Sequence, residues 1–322
     1  MSKPLGNDAW WDFSWNPVGG CRAISPGCMN CYAARCAGTY TWPAGEKALH
    51  HGLTIRRGTR RIFNGKHSAA PPGHHLWTVP LRSPRAPNPK LGPGQPSLIF
   101  VVDMGDLFYE DRPTQIITQI CATIGLSEHI GLLTTKRTRR AAEFFTALDA
   151  PTVVRWQPRL WLGFSAERQR EFDERWQDMR VLADTGWIIF VSIAPIMEPV
   201  TLPPDFLALG DRGWVIVAGE QGPREDCREM QPDWARAIRD QCAASNIPFF
   251  MKQMAKKEPI PPDLLIRQFP SPSGEASRAS KENQSPLKMP PEKEKPLVAG
   301  EVETSNDSKS KELTQSLPAS RS

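Results

Sequence analysis

Short apolar runs alternate with helix-like stretches along most of this chain, and that alternation restricts its fold more than any other feature. The runs occupy 98–102, 130–134, 160–164, 187–191, 214–218 and 249–251, each rich in Ile, Val, Phe or Trp and bounded by polar residues, Gly or Pro. Runs of that length and composition read as buried strands. Between them, 114–126, 139–148, 168–184 and 233–244 are helix-compatible, with Pro113 and Pro232 near two of the helix starts, and 203–209 is a shorter candidate. With one more strand before Cys21, about seven β/α units result, which specify a parallel sheet covered by helices. No G-x-G-x-x-G phosphate loop follows any of the runs. The expectation is therefore an α/β fold, a partial or full (β/α) barrel of about seven parallel strands.

Two segments fall outside this rhythm. Residues 38–97 are rich in Gly, Pro, His and Arg, with strand-like pieces only at 53–57 and 76–81, and read as an irregular insertion or lid. The pairs His50-His51 and His74-His75 within it read as solvated loop residues. From Ser271 to Ser322 there is no Phe, Trp or Tyr, and eight Lys/Arg balance eight Asp/Glu. Such a tail cannot bury enough apolar surface to offset its chain entropy, so 271–322 is expected to be disordered and 1–270 to form the folded domain. The formal net charge of +5 then lies wholly in that domain, a mild excess compatible with an anionic substrate.

Four of the seven cysteines cluster near the start of the chain. Cys21, Cys28 and Cys31 are spaced C-x6-C-x2-C, with Gly19-Gly20 before the first thiol and Pro26-Gly27 before the second, so the backbone can turn the sulfurs toward one point. No apolar run reaches a membrane-spanning length and no apolar signal segment opens the chain, which argues for a cytoplasmic protein with no membrane partner. In a reducing compartment a cysteine cluster reads as a metal site rather than a disulfide set. Three close thiolates fit an iron–sulfur cluster with one iron left open. Zinc closed by Cys36 as a fourth thiolate is the alternative.

In barrels of this class the chemistry gathers just beyond the C-terminal ends of the strands. Those positions hold Asp103, Asp106 and Glu110, then Thr135, Lys136 and Arg137, then Ser165 and Glu167, then Ser192, then Gly219, Glu220 and Gln221, and finally Lys252 and Gln253. The cysteine segment precedes the first helix and belongs at the same mouth.

Several of these residues sit in motifs that resemble a known family. Trp15-Asn16-Pro17-Val18 through Cys31-Tyr32-Ala33, Asp106-Leu107-Phe108, Thr135-Lys136-Arg137, Trp161-Leu162-Gly163 with Ser165, Val191-Ser192 with Pro195, Gly219-Glu220 and Pro248-Phe249-Phe250 with Lys252-Gln253 occur in the order seen there. The chain resembles the phage-associated three-cysteine-motif family, a domain of unknown function regarded as similar to radical S-adenosylmethionine enzymes. Where that family has a carboxylate before Pro195, this chain has Ala194. The resemblance implies a (β/α) barrel, a 4Fe-4S cluster on Cys21, Cys28 and Cys31, S-adenosylmethionine as second cofactor, and a partner protein encoded by a phage or mobile element.

On this footing Ser165, Glu167, Ser192 and Glu220 are the candidates for contacting S-adenosylmethionine, because hydroxyls and carboxylates suit a ribose and an ammonium group. Asp106, Lys136, Arg137, Lys252 and Gln253 are the candidates for facing substrate. Three cations among them suggest an anionic substrate, a nucleotide or nucleic acid. The competing expectation is a non-catalytic, zinc-stapled protein that binds nucleic acid or a protein partner.

Overall fold

In the computed structural model, which describes residues 9–39, 49–222 and 225–271, the chain enters through β1 (Phe13–Trp15), β2 (Val18–Arg22) and α1 (Tyr32–Thr39). Next come β3 (Thr54–Arg57), β4 (Arg60–Ala69) and the short α2 (Val79–Arg82). The β/α alternation then takes over with β5 (Leu98–Val101), α3 (Thr114–Gly125), β6 (Ile130–Thr135), α4 (Thr138–Thr146), α5 (Ala150–Trp156) and β7 (Leu160–Ala166). It continues through α6 (Gln169–Asp184), β8 (Ile189–Ile193), α7 (Pro204–Leu207), β9 (Gly213–Ala218), α8 (Pro232–Ala244) and β10 (Phe249–Gln253). All of these elements belong to the unit Met1–Arg278, and the tail expected to be disordered lies, from residue 272 on, outside the described residues.

Seven strands pair in the order β1-β5-β6-β7-β8-β9-β10, every pair parallel. The sheet curls into a half-barrel and stays open between β1 and β10. The free edge of β10 is covered by the chain beyond it, where the Met251 amide donates to the Ile266 carbonyl at 2.9 Å and the Gln268 amide to Phe249 at 2.9 Å. A covered edge offers no template for another strand.

Side chains alternate across the strands, and both faces are buried, so the runs are apolar throughout. On the convex side Val101, Leu133, Phe164, Val191, Val217 and Met251 pack in one core with Ile120 of α3, Phe145 of α4, Phe172 and Trp176 of α6, and Ile238 of α8. On the concave side Phe100, Leu132, Trp161, Phe190, Trp214 and Phe250 form a second core, plugged by Trp10 and Trp11 from the N-terminal segment. Trp10 lies 4.9 Å from the Phe100 ring and 5.7 Å from Trp214. Gly163 makes this floor possible, since a Cβ there would stand 2.3 Å from the Phe190 ring.

The insertion is more ordered than its composition suggests. β2, β4 and β3 form a separate antiparallel sheet beside α1, and the ten-residue β4 falls where no strand was expected. The piece at 76–81 is helical instead of extended, a 3-10 turn at His75–Thr78 running into α2. Pro80 accounts for this, because it fits a first helical turn and cannot donate to a strand ladder. His50 departs from the solvated reading, for it is buried against Gly19, and burial pushes its pKa down to about 4. No helix among the described residues is long and apolar enough to cross a membrane.

Candidate functional site

Above the aromatic floor the concave face changes character. Toward the C-terminal ends of the strands its inward positions become Thr134, Ser165, Ser192 and Ala218, and these line a cavity. Ser165 lies opposite Ser192 in register, and Thr134 lies opposite Gly163, one inward step below that pair on the neighbouring strand. Thr134 Oγ1 is fully enclosed with no hydrogen-bond partner among the described residues. A buried hydroxyl left unpaired is costly, so a polar partner in the cavity, water or ligand, would be favoured beside it.

The three spaced cysteines close one side of that cavity. Cys21 is carried on β2 rather than in a loop, Cys28 on the 3-10 turn Pro26–Asn30, and Cys31 immediately before α1. All three line the cavity and act on one another's charge. Burial raises the Cys31 thiol pKa, while the Ala33 and Ala34 amides at the start of α1 oppose the rise by donating to the sulfur. Cys36, a turn further along α1, is not among the lining residues, and Cys121 and Cys242 are wholly buried in the convex core, as thiols that pack.

The end of β6 meets these sulfurs with two cations. Lys136 Nζ lies 3.4 Å from Cys28 Sγ and 2.9 Å from Ser25 Oγ, and it pairs closely with Glu167. Arg137 Nη1 lies 3.2 Å from Cys21 Sγ and 3.3 Å from Asp106 Oδ2, and its Nε donates to Glu110 at 3.0 Å. Burial opposes ionisation of Cys28, yet Lys136 and the Ser25 hydroxyl outweigh it and bring that thiol below its ordinary value. Burial and Asp106 push Cys21 up to about 12 despite Arg137. The two thiols are thus prepared differently, although each faces a positive group.

Four acids position the mouth. Asp106 accepts from Thr135 Oγ1 at 2.7 Å, the Lys136 amide at 3.1 Å and the Phe108 amide at 2.9 Å, fixing the turn that aims Lys136 and Arg137. Glu167, expected to contact a cofactor, lies behind the lining. Its side chain is fully buried, and it accepts from Lys136, from Arg175 at 3.1 Å and from Ser25 at 2.7 Å. It also abuts Gly27, where a Cβ would stand 2.4 Å from its carboxylate. Glu220 lines the cavity but is held by Arg228, whose Nε and backbone amide donate at 2.9 Å and whose Nη1 reaches the Pro26 carbonyl at 3.2 Å. Asp103, assigned no role from the sequence, accepts from Ser14 Oγ at 2.9 Å and from Asn16, and burial raises its pKa. The Trp15-Asn16 motif therefore ties β1 to the end of β5.

At the other side, Lys252 and Gln253 close the cavity from β10. Gln253 donates to the Gly219 carbonyl at 2.9 Å and pairs with Gln221. Lys252 Nζ sits over the rings of Tyr32 at 5.7 Å and Trp11 at 5.8 Å, and makes no salt bridge among the described residues. Burial alone pushes its pKa down to about 8. Tyr32 and Trp10 line the cavity as well, and neither was given a role from sequence. Their signal lay in the cluster of tryptophans before β1 and in the tyrosine that directly follows Cys31.

Eleven of the twelve residues proposed from sequence thus meet around one cavity, Glu167 being the exception. Among the described residues no three His, Cys, Asp or Glu side chains stand as a preformed metal cage. The donor set still fits a thiolate-held cluster in kind: three sulfurs lining one cavity, cations to offset their charge, a helix start beneath one of them and an orphaned hydroxyl in the same lining. Neither the curated proteins nor the solved structures compared with this chain give a match. Residues 7–300 match the family described as "Protein of unknown function (DUF5131)", and with that span covering most of its length the chain belongs to the DUF5131 family.

Proposed function

We propose that this protein is an iron–sulfur enzyme of the radical S-adenosylmethionine type acting on an anionic substrate. The observation that carries the reading is that Cys21, Cys28 and Cys31 line one cavity with the polar ends of six strands, while Cys36 does not line it. Three thiolates without a fourth suit a cluster with one iron open to a ligand, whereas a closed structural zinc site needs four. Bound there with S-adenosylmethionine, a cluster charged by an external reductant would supply the electron that cleaves the sulfonium, the step that must precede hydrogen-atom abstraction from a substrate.

The chain's own groups have separable tasks. Cys21, Cys28 and Cys31 would hold the metal. Lys136 and Arg137 offset thiolate charge and hold the cysteine segment against β6, with Glu167 and Asp106 fixing the two cations in turn. Ser165, Ser192 and Thr134 offer hydroxyls to the ribose or amino-acid part of S-adenosylmethionine, and Glu220 offers a carboxylate edge already oriented by Arg228. Lys252, with no acid partner among the described residues, offers charge to an anionic substrate group. A reducing, cytoplasmic setting belongs to the same proposal, since thiolates must stay reduced to take up iron. The proposed link to phages or mobile elements, with a partner encoded there, rests on the motif resemblance alone.

Anaerobic reconstitution with iron and sulfide tests the proposal. The expected product is a brown protein with about four irons per chain for a cubane cluster, bleached by reductant and able to cleave S-adenosylmethionine. Cys28→Ser or Cys31→Ser abolishes the colour, and Cys36→Ser keeps it. A colourless protein holding one zinc per chain, lost equally in Cys36→Ser, would replace the proposal with the non-catalytic zinc-stapled one.

A further inference from the structure

The β3–β4 hairpin breaks a rule of sheet pairing in a way that the cavity does not explain. Arg56 lies directly opposite Arg61, and Arg57 opposite Arg60, so two successive cross-strand pairs set arginine against arginine. Like charges facing each other across an antiparallel pair destabilise it. From Thr54 to Ala69 the hairpin adds Lys66 and contains no Asp or Glu. Among the described residues one acid from elsewhere reaches it, Asp226, which accepts from Arg60 Nε at 3.3 Å and Thr59 Oγ1 at 2.5 Å. Arg56 and Arg57 are exposed, and Arg56, Arg57 and Arg61 make no salt bridge among the described residues.

These arginines are placed beside the site. A second cleft is lined by Arg56, Arg60 and Arg61 together with Asn30, Cys31 and Gln221, and those last three residues also line the main cavity. The two clefts therefore meet across a lip formed by the cysteine segment and the end of β9. No acidic residue among the described ones lines the arginine cleft. Guanidinium groups spaced along a ribbon match the repeated phosphates of a polymer better than a single small anion, because each fork takes a separate phosphate. Aromatic rings beside the lip, Tyr32 and Phe63, line the cavity into which one unit of such a polymer would turn.

From this juxtaposition we infer that the β3–β4 hairpin and its arginine cleft form a track for the sugar–phosphate backbone of a single nucleic-acid strand, delivering one nucleotide over the lip into the cysteine-lined cavity. This names the substrate class of the function proposed above and relies on that proposal only for the chemistry inside the cavity. The unfavourable arginine pairs are then relieved when phosphates bind.

The test is fluorescence anisotropy of the full-length protein with labelled single-stranded DNA and RNA 12-mers, from 50 to 200 mM salt. The wild type binds with a strong salt dependence, and Arg56→Glu/Arg57→Glu weakens binding at least about tenfold and flattens the salt slope by about one to two units. In the same variant Glu faces Arg in both cross-strand pairs, so its thermal midpoint holds or rises, which separates lost binding from lost folding. A wild type that binds neither oligonucleotide, or a well-folded variant that binds as tightly as the wild type, overturns the track. A wild type that binds a phosphorylated peptide in place of either oligonucleotide overturns it too. Iron content on the same preparations distinguishes the two proposals. Oligonucleotide binding without iron uptake supports the track and removes the cluster, and iron uptake without oligonucleotide binding does the reverse.

Discussion

The two sides of the cavity handle buried charge in opposite ways. On the β6–β7 side the Glu167 carboxylate is sealed from solvent and shared among Lys136, Arg175 and Ser25, so that every oxygen has a donor and every cation an anion. On the β10 side Lys252 is enclosed by the faces of Tyr32 and Trp11, with no carboxylate to meet it among the described residues. The first arrangement is complete in itself and serves to hold the segment from Ser25 to Cys28 in place. The second has no such partner among the described residues, and the anionic substrate proposed above would supply one. Structural and ligand-directed charge can thus be told apart in one cavity by asking whether the surrounding residues already satisfy it.

The comparison breaks most severely if the closed side is opened. Glu167→Gln keeps the shape but leaves two cations facing a neutral amide, and removing one partner of a buried pair typically costs about 3–5 kcal/mol. Urea denaturation of the metal-free protein measures that loss. A cost below about 1 kcal/mol would mean that water reaches the pair and that the side is not sealed.

A smaller blow to the same side comes through packing. Gly27→Ala places a methyl 2.4 Å from the Glu167 carboxylate and 2.5 Å from its Cγ, in a turn between two of the proposed ligands. Overpacking of this kind costs about 1–3 kcal/mol. Because the strain falls between Ser25 and Cys28, iron taken up per chain should drop further than stability does. Equal stability with full iron uptake would show that the turn is free to move away from Glu167.

The open side is sharpened by pH. Burial lowers Lys252 to about 8 in the folded chain, against an ordinary lysine value of 10.5 when unfolded. Between those values the unfolded chain holds more protons, so this residue makes stability rise with pH from about 8 to 10.5, and below about 8 its unfavourable burial is fully expressed. Lys252→Met should remove that rise, so that the wild type gains on the variant as pH increases through the window. Stability curves that run parallel for the two proteins would show a compensated lysine and erase the contrast with Glu167.

Much of the fold was legible because strand runs such as 160–164 and 214–218 are buried on both faces, and apolar periodicity reports burial directly. The mouth was legible for a related reason, since parallel strands send all their C-terminal ends to one place. What escaped depended on partners distant in the chain. Glu167 and Glu220 are both carboxylates after strands, and only the positions of Arg175 and Arg228 reveal that one is buried behind the lining while the other lies at its edge. β4 was hidden because its outward residues are Arg, Asn, Lys and His, and the ladder with β2 and β3 carries it instead of an apolar face. Asp103 looked like one more polar loop residue until Ser14, Asn16 and Tyr32 converged on it.

The smallest expected effect is also the most selective one. Thr134 belongs to β6, the strand that leads into Lys136, yet its hydroxyl is one that nothing in the described chain satisfies, as no described carboxylate meets Lys252. Removing an unsatisfied hydroxyl while keeping the branched shape is close to neutral in a protein without ligand, so Thr134→Val should change stability by less than about 1 kcal/mol or raise it slightly. The same substitution should weaken S-adenosylmethionine binding to the reconstituted protein by about tenfold, the worth of one well-made hydrogen bond in an enclosed site. Calorimetric titration beside thermal unfolding reads both quantities. If stability falls and binding is unchanged, the hydroxyl is a packing feature of β6 and the ligand-directed side of the cavity shrinks to Lys252. If binding alone falls, the division between closed and open charge runs through a single strand.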